Sequence, residues 1–540
     1  MSKLLITIGG SGSRAATAAM YTIAAGLMDG HGNIDVMRVD KDTTNGTTAT
    51  FDITLSSYNT FAQALGDNTD ERGLAKYNVV RSPWTLESIL SQGQSDSLNR
   101  LYPDPSDATL LNLLYDSEEQ SKPLTDGFER HPNIGALLFE RIKEDPKFIS
   151  AINSALQNAE SGGIAEIFVI GSIFGGTGAS MFSNIMAFIR DKAKKKGKGV
   201  NSKVILGGML LLPYFQVPRL SREEIAERRK RGEYIITDED FIMASQKALD
   251  YYNSIDNLLR NTSNHDDAIF DALYLAGYSP RCLTVRKGAV TYAKGGSRQK
   301  SDCTLIDLFA ASAMCHFFDN SEKADGVFHI AENDGHHNLF IAQLGLDDKL
   351  PLERIGWENL PPTTDAKLLQ LLQFALFVTA VFATDSGYYQ SLMSERLDKT
   401  PALDAAYTFS RGYLEFLLNV ASSRTNEGMI CGLLDTEQFE GLLETLDKIS
   451  SESGNRERRS LLRKIDACLA EFAEAKNGLT APSGDSELKY VVPFNPAVLR
   501  QKLNTHFGGL GKRNRALKEA DVLRQLYLFC AENKVRRGNG

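Results

Sequence analysis

One stretch constrains this chain more than any other: Ile167-Phe-Val-Ile-Gly-Ser-Ile-Phe-Gly-Gly-Thr-Gly-Ala-Ser180, running into Met181–Arg190. It reads as an apolar strand, a glycine turn and an amphipathic helix. So continuous an apolar run suits a strand covered on both faces, as in the parallel sheet of an α/β domain. Gly175, Gly176 and Gly178 let the backbone approach a ligand closely. Thr177 and Ser180 add hydroxyls. The unpaired amides opening the next helix, with their partial positive charge, make an anion site for which phosphate is the natural guest. The same layout also serves as an ordinary tight connection. No Lys follows the last glycine, so the GxxxxGK[ST] phosphate loop is not met, and the GxGxxG dinucleotide pattern is missing here too.

The plan recurs at the start of the chain. Leu4–Ile8 is a strand, Gly9-Gly10-Ser11-Gly12-Ser13 a tight turn, and Arg14–Leu27 an Ala-rich helix. Two such turns in one α/β domain can face a single phosphate chain. Ile34–Val39 is the second strand and ends in Asp40-Lys41-Asp42. Open α/β sheets contact ligands at this end of a strand, although a loop acid also serves to cap the next turn.

At 540 residues the chain exceeds a single core and divides into two or three domains. A net charge of −8 argues against a nucleic-acid binder. Cys282, Cys303, Cys315, Cys431, Cys468 and Cys530 form no CxxC pair and have no His at ligand spacing. They read as reduced thiols of a cytoplasmic protein, and no metal site is expected from side chains alone. His336-His337 reads as a surface turn. The N-terminus lacks a signal-peptide layout. The most apolar run, 368–383, is interrupted by Gln370, Gln373 and Thr379 and falls short of the roughly 20 residues of a membrane span, so it reads as a buried helix.

Residues 43–120 read as irregular and polar, with short helical pieces near 86–90 and 108–114. Leu124–Ala136 is a loop entering a helix at Pro132, with Ile134, Leu137, Leu138 and Ile142 as its buried stripe. The Lys residues at 194–196 and 198 end a helix. Val204–Pro213 is a strand closing in Pro213-Tyr214-Phe215, and 219–231 is a charged surface stretch. A helix over 238–259, a strand over 268–276, a basic loop over 287–300 and a long helix over 301–319 follow. A short strand pair is expected at 326–331 and 338–344. Beyond Pro361 the pattern is helical: 365–383, 404–421, 436–449, 456–474, 496–507 and 516–533.

The order of these motifs resembles the tubulin/FtsZ superfamily, and within it the divergent bacterial tubulin-like proteins. The family's GGGTG[ST]G loop is similar to Phe174-Gly-Gly-Thr-Gly-Ala-Ser180, which departs from it at both ends. Its other loops resemble Gly9–Ser13, Asp40–Asp42, Gly127–Gly135 and Leu212–Phe215, and its central helix resembles 301–319. The resemblance spans about residues 1–320.

The fold it implies is α/β: a tubulin/FtsZ-like Rossmannoid GTPase domain with a mostly parallel sheet over 1–300, a central helix at 301–319, a connecting segment at 320–360 and a largely α-helical C-terminal domain over 361–540. It implies GTP or GDP with Mg²⁺. Gly9, Gly10, Ser11, Gly12 and Ser13 with Phe174, Gly175, Gly176, Thr177, Gly178, Ala179 and Ser180 would hold the phosphates. Asp40, Lys41, Asp42, Gly127 and Asn133 would surround the metal and γ-phosphate, with Pro213 at the fifth loop. The base would meet the central helix near Phe309, but the family's base-reading Asn falls on Ala313, and Asp307 is the substitute acceptor. Hydrolysis in the family is completed by a neighbouring subunit's carboxylate loop. Asp319, Glu322 and Asp325 are nearest to it in position, without matching its motif.

The expected function is a nucleotide-dependent, filament-forming GTPase of low intrinsic activity whose main partner is itself. The alternative is a non-hydrolysing nucleotide-binding scaffold or switch whose helical C-terminal region binds a protein partner. A Rossmann-type NAD enzyme is disfavoured, because Arg14 and Ala15 stand where its third glycine belongs. No membrane span is expected.

Overall fold

The computed structural model describes residues 2–28, 34–42, 46–65, 84–89, 97–102, 104–121, 124, 128, 132–215, 221–230, 238–255, 257–258, 266–277, 301–320, 364–382, 397–398, 401–425, 428–429, 436–451, 490–491, 517–518, 523, 526–527, 530 and 536–537. Its centre is a six-stranded sheet of β1 (Ser2–Ile8), β2 (Ile34–Val39), β3 (Trp84–Ile89), β4 (Ala165–Ser172), β5 (Val204–Leu211) and β6 (Ala272–Ala276). The strands run in the order β3-β2-β1-β4-β5-β6, all parallel. The protein is thus α/β.

The apolar runs of the strands are explained by cover on both faces. Leu5, Val36, Phe168, Ile170, Met209, Leu211 and Tyr274 point into one core with α1 (Gly9–Ala24), α2 (Gly46–Leu65) and α12 (Leu305–Asn320). Leu4, Ile6, Val39, Ile167, Val169, Leu206 and Leu210 point into a second core with α6 (Pro132–Ile142), α7 (Pro146–Glu160) and α8 (Gly176–Lys195). Between these lie α3 (Leu98–Leu101), α4 (Pro105–Leu114), α5 (Ser117–Ser121), α9 (Lys198–Asn201), α10 (Arg222–Lys230) and α11 (Asp238–Asn253). Late in the chain come α13 (Thr364–Phe382), α14 (Pro401–Ala421) and α15 (Thr436–Ser451). All three late helices add side chains to the first core. Tyr21 of α1 sits 5.1 Å from Phe409 and 5.1 Å from Phe416 of α14, ring to ring. No helix among the described residues is long and apolar enough to cross a membrane.

Several expectations need correction. The stretch expected to be irregular after residue 43 contains α2, a 20-residue helix. Its Thr and Ser are weak helix formers, but Phe51, Leu55, Tyr58 and Phe61 recur at helical spacing and are buried. Thr50 and Thr54 return their hydroxyls to the carbonyls of Gly46 and Thr50. The helical piece expected at 86–90 is instead strand β3, because a free ladder on β2 overrides weak local preference. Helix α1 begins at Gly9, so the expected turn 9–13 is the helix's own first turn. Helix α12 begins at Leu305, not 301. Thr304 donates its amide to Asp307 Oδ2 at 2.7 Å, the N-cap to N3 contact of a capping box. In α6 the stripe is Ile134, Leu138, Phe139 and Ile142, with Leu137 only half-buried. Leu517–Lys518, expected in a helix, pairs with Leu397–Asp398 as a short parallel bridge. The basic loop 287–300, the strand pair 326–331 and 338–344, and the helices 456–474 and 496–507 lie outside the described residues.

Candidate functional site

The chain lays down β1, β2 and β3 towards one edge, then crosses back to place β4 beside β1 and build β5 and β6 towards the other. In such sheets the crevice beyond the carboxyl ends of the strands, where the order reverses, is where ligands bind. Here that crevice is bordered by the glycine turns after β1 and β4. Ile6 pairs with Val169 and Thr7 with Ile170, so the two strands deliver their turns side by side. Gly9 has φ +68°, and a β-carbon built on it lies 3.7 Å from Thr177 Cβ. The turns therefore touch, and Gly9 sits in a conformation that a side chain rarely adopts.

Both turns open helices without protein caps. The residues preceding α1 and α8, Ile8 and Gly175, are extended and offer no side-chain hydrogen bond, and neither first turn holds an acid. Two sets of unpaired amides and two positive helix ends thus converge with nothing in their own first turns to neutralise them. The remaining glycines bring backbone close to backbone: a β-carbon on Gly12 would lie 2.7 Å from the Ile170 carbonyl oxygen, and one on Gly178 2.8 Å from the Ser172 amide nitrogen. Gly10, Ser11, Phe174, Gly175 and Ala179 are half-buried and line the rim, whereas Gly12, Ser13, Gly176, Thr177, Gly178 and Ser180 are buried. The Ser180 hydroxyl is not directed at a ligand. It donates back to the Gly176 and Thr177 carbonyls at 2.8 and 3.1 Å, as serines inside helices commonly do.

Val39 pairs with Ile8, so Asp40 leaves β2 beside Gly9. Asp40 and Asp42 are buried and Lys41 is half-buried. Burial pushes the Asp40 carboxyl up to about 7, aided by the charge of Asp42 and opposed by the Asp42 amide, which donates to its Oδ1 at 3.2 Å, and by Arg38. A carboxyl so poised suits a place where a cation arrives with the ligand. Among the described residues no group of three or more His, Cys, Asp or Glu could hold a metal. Asp40 and Asp42 are the carboxylates beside the first turn that could contact a Mg²⁺ brought in with phosphate oxygens and water, the usual manner for this ion.

On the other side α6 is set against α8 by Gly135, whose missing β-carbon makes room for Ser180. Asn133 is exposed, with its amide donating to Glu119 Oε1 at 3.0 Å and its carbonyl accepting from the Tyr115 hydroxyl at 3.0 Å. Gly127 lies outside the described residues. Beyond β5, half-buried Pro213 leads to Tyr214 and Phe215, and Phe174 packs on both rings at 5.7 and 5.3 Å.

The residues of α12 expected near the base are buried. Phe309 is buried in the first core, and Ala313 is fully buried. Asp307 has no exposed surface and accepts from Arg14 Nε at 2.7 Å and from Thr304. A carboxylate buried against its own cation is held to that pairing. Arg14 and Tyr214 had no assigned role in the sequence. The usable signal was a lone Arg in an otherwise alanine-rich helix, since a buried cation requires a partner. Asp319, next to last in α12, lies at the amino-terminal edge of the sheet, where neighbouring Phe318 lies under Lys3 of β1 at 5.6 Å. Glu322 and Asp325 lie outside the described residues.

Residues 114–228 match a protein family described as tubulin like. The matched span contains α6, β4, the second glycine turn, α8, β5 and Pro213–Phe215. The first turn, Asp40–Asp42 and α12 fall outside it. No curated protein sequence and no solved structure matches the chain.

Proposed function

We propose that this chain, whose residues 114–228 match a tubulin-like family, is a GTP-binding, self-assembling GTPase of low intrinsic activity, in a tubulin/FtsZ-like Rossmannoid arrangement. The observation that carries this reading is the meeting of two uncapped helix amino termini, at Gly9 and Gly175, at the switch point of the parallel sheet. Amides of Gly9–Ser13 and of Gly175–Thr177 cradle the phosphates, and Asp40 and Asp42 lie on the metal side. Preorganised N–H dipoles stabilise phosphate charge without reorganisation, which is most of what phosphoryl transfer asks of a protein. Bound Mg²⁺ would supply the remaining neutralisation.

The direction of α12 supports completion of the site by a second subunit. The helix starts beside Arg14 and ends beside Lys3, and 16 residues at about 1.5 Å each carry it roughly 24 Å across the sheet. Asp319 is thus far from its own chain's phosphate turns, at the opposite edge of the sheet, the edge that a stacked neighbour would meet.

The test is phosphate release from GTP and from ATP across protein concentrations. Specific activity that rises with concentration is expected for GTP, together with loss of turnover but retention of GTP binding in Asp319→Asn. Tight GTP or GDP binding with no turnover would mark a non-hydrolysing scaffold instead. A protein that binds no nucleotide refutes the reading.

A further inference from the structure

We infer that Arg14 is the positioning residue of the proposed nucleotide site, holding both phosphate turns and the start of α12 in one arrangement through Asp307 and Tyr214. The inference rests on the nucleotide-binding reading above and adds to it a residue that touches no phosphate.

The guanidinium is buried, with 7% of its side chain exposed, and its bonds reach two other segments. Nε donates to Asp307 Oδ2 at the start of α12, and Nη2 donates to the Tyr214 hydroxyl beyond β5. The cation also lies over the Tyr214 ring, 5.3 Å from its centroid. Tyr214 also packs on Phe174, ring to ring at 5.7 Å, and Phe174 directly precedes Gly175, the residue before α8. The first phosphate turn is therefore tied to Arg14 by one turn of its own helix, and the second through Tyr214 and Phe174. Cys303 adds a further link, its Sγ donating to the Arg14 carbonyl at 3.4 Å.

Stability alone does not account for such a cluster. A buried ion pair gains little over apolar residues of the same volume, because desolvation offsets the attraction. What a guanidinium offers that an apolar side chain does not is a planar set of donors fixing several partners at defined angles. The site next to it needs that, since two backbone turns must present their amides to a single ligand.

Three variants test this. In Arg14→Met/Asp307→Leu both buried charges are replaced together, so the denaturation midpoint is expected near that of the wild type while the Kd for GTP rises at least tenfold. Tyr214→Phe keeps the ring but loses the acceptor, and its Kd is expected to rise several-fold. Arg14→Lys keeps a charge beside Asp307 without the fork, and its Kd should lie between those of the wild type and the double variant. In turnover, KM should rise with little change in kcat. A stably folded double variant with wild-type Kd overturns the inference. If the double variant does not fold, an unchanged Kd in Tyr214→Phe overturns it and a weakened one supports it. Failure of the wild type itself to bind GTP sinks the nucleotide reading, and that result is read before any variant is compared.

Discussion

Replacing Gly178 by Ala should destabilise the protein, although alanine is the better helix former. In an open helical position this exchange gains about 0.5–1 kcal/mol. At Gly178 the new β-carbon falls 2.8 Å from the amide nitrogen and 3.1 Å from the carbonyl carbon of Ser172, and closer still to its carbonyl oxygen. All three are backbone atoms. Ser172 is held in the ladder opposite Leu211, so the strand does not yield. The start of α8 must move by more than half an ångström, and overpacking of this kind costs about 1–3 kcal/mol. After the helix-propensity gain, a net loss of roughly 1 kcal/mol remains, with an upper bound of about 2.5 kcal/mol. The displaced turn should also weaken GTP binding. Gly441 supplies the control: it lies in α15, where a β-carbon would meet nothing within 4 Å. Urea unfolding followed by circular dichroism should move the midpoint down for Gly178→Ala and up for Gly441→Ala. Equal upward shifts in both would show that the close approach of α8 to β4 is not as drawn, and the argument for a tightly built phosphate turn would fail.

Further outcomes follow from the buried charges. Asp40 is held neutral up to about pH 7 in the folded protein, while the unfolded chain ionises it from about pH 4. The folded state thus binds the extra proton between these values, and stability falls as pH rises through that window. Asp40→Asn removes the effect, so its free energy of unfolding should match the wild type near pH 4 and exceed it at pH 8, by at most about 4 kcal/mol; parallel pH curves would refute this. Asp271 accepts from Arg190 Nη2 at 2.6 Å and from the Leu206 amide at 2.7 Å, near the amino-terminal edge of the sheet. Asp271→Ala leaves a buried cation and should cost about 3–5 kcal/mol in unfolding experiments, yet leave the Kd for GTP of the folded protein unchanged.

Much of the sheet was legible in sequence because its signals are local. The apolar runs of β1, β4 and β5 and the glycines that follow two of them need no distant partner to be recognised. Helix α14 was legible for the same reason, through its apolar spacing. What escaped depends on partners far away in the chain. Residues 84–89 form a strand only because β2 offers its edge, and α2 holds its threonines in a helix only because Phe51, Tyr58 and Phe61 have a core to enter. The start of α12 turned on one side chain, Asp307, folding back on Thr304. That same carboxylate, expected at the base, is paired in the fold with a cation that stands 293 positions earlier, a contact no local pattern announces. Phe309 is buried in the first core, and an aromatic on this helix looks the same in sequence whether it faces a base or a core.

The grip of α14 on α1 also sets a timetable for biosynthesis. Helix α1 is buried from Gly12 to Ala24, partly by rings that follow it at Phe409, Tyr413 and Phe416. A ribosome adding about 5–20 residues per second needs on the order of 20–80 s to make the roughly 400 residues between them. Throughout that interval Tyr21 and the apolar side of α2 wait without their cover, a natural hold for chaperones that bind exposed apolar chain. Tyr21, near the carboxyl end of α1, gains these rings only when α14 emerges, so the helix that opens at the first glycine turn is fully packed late in synthesis although it is among the first residues made.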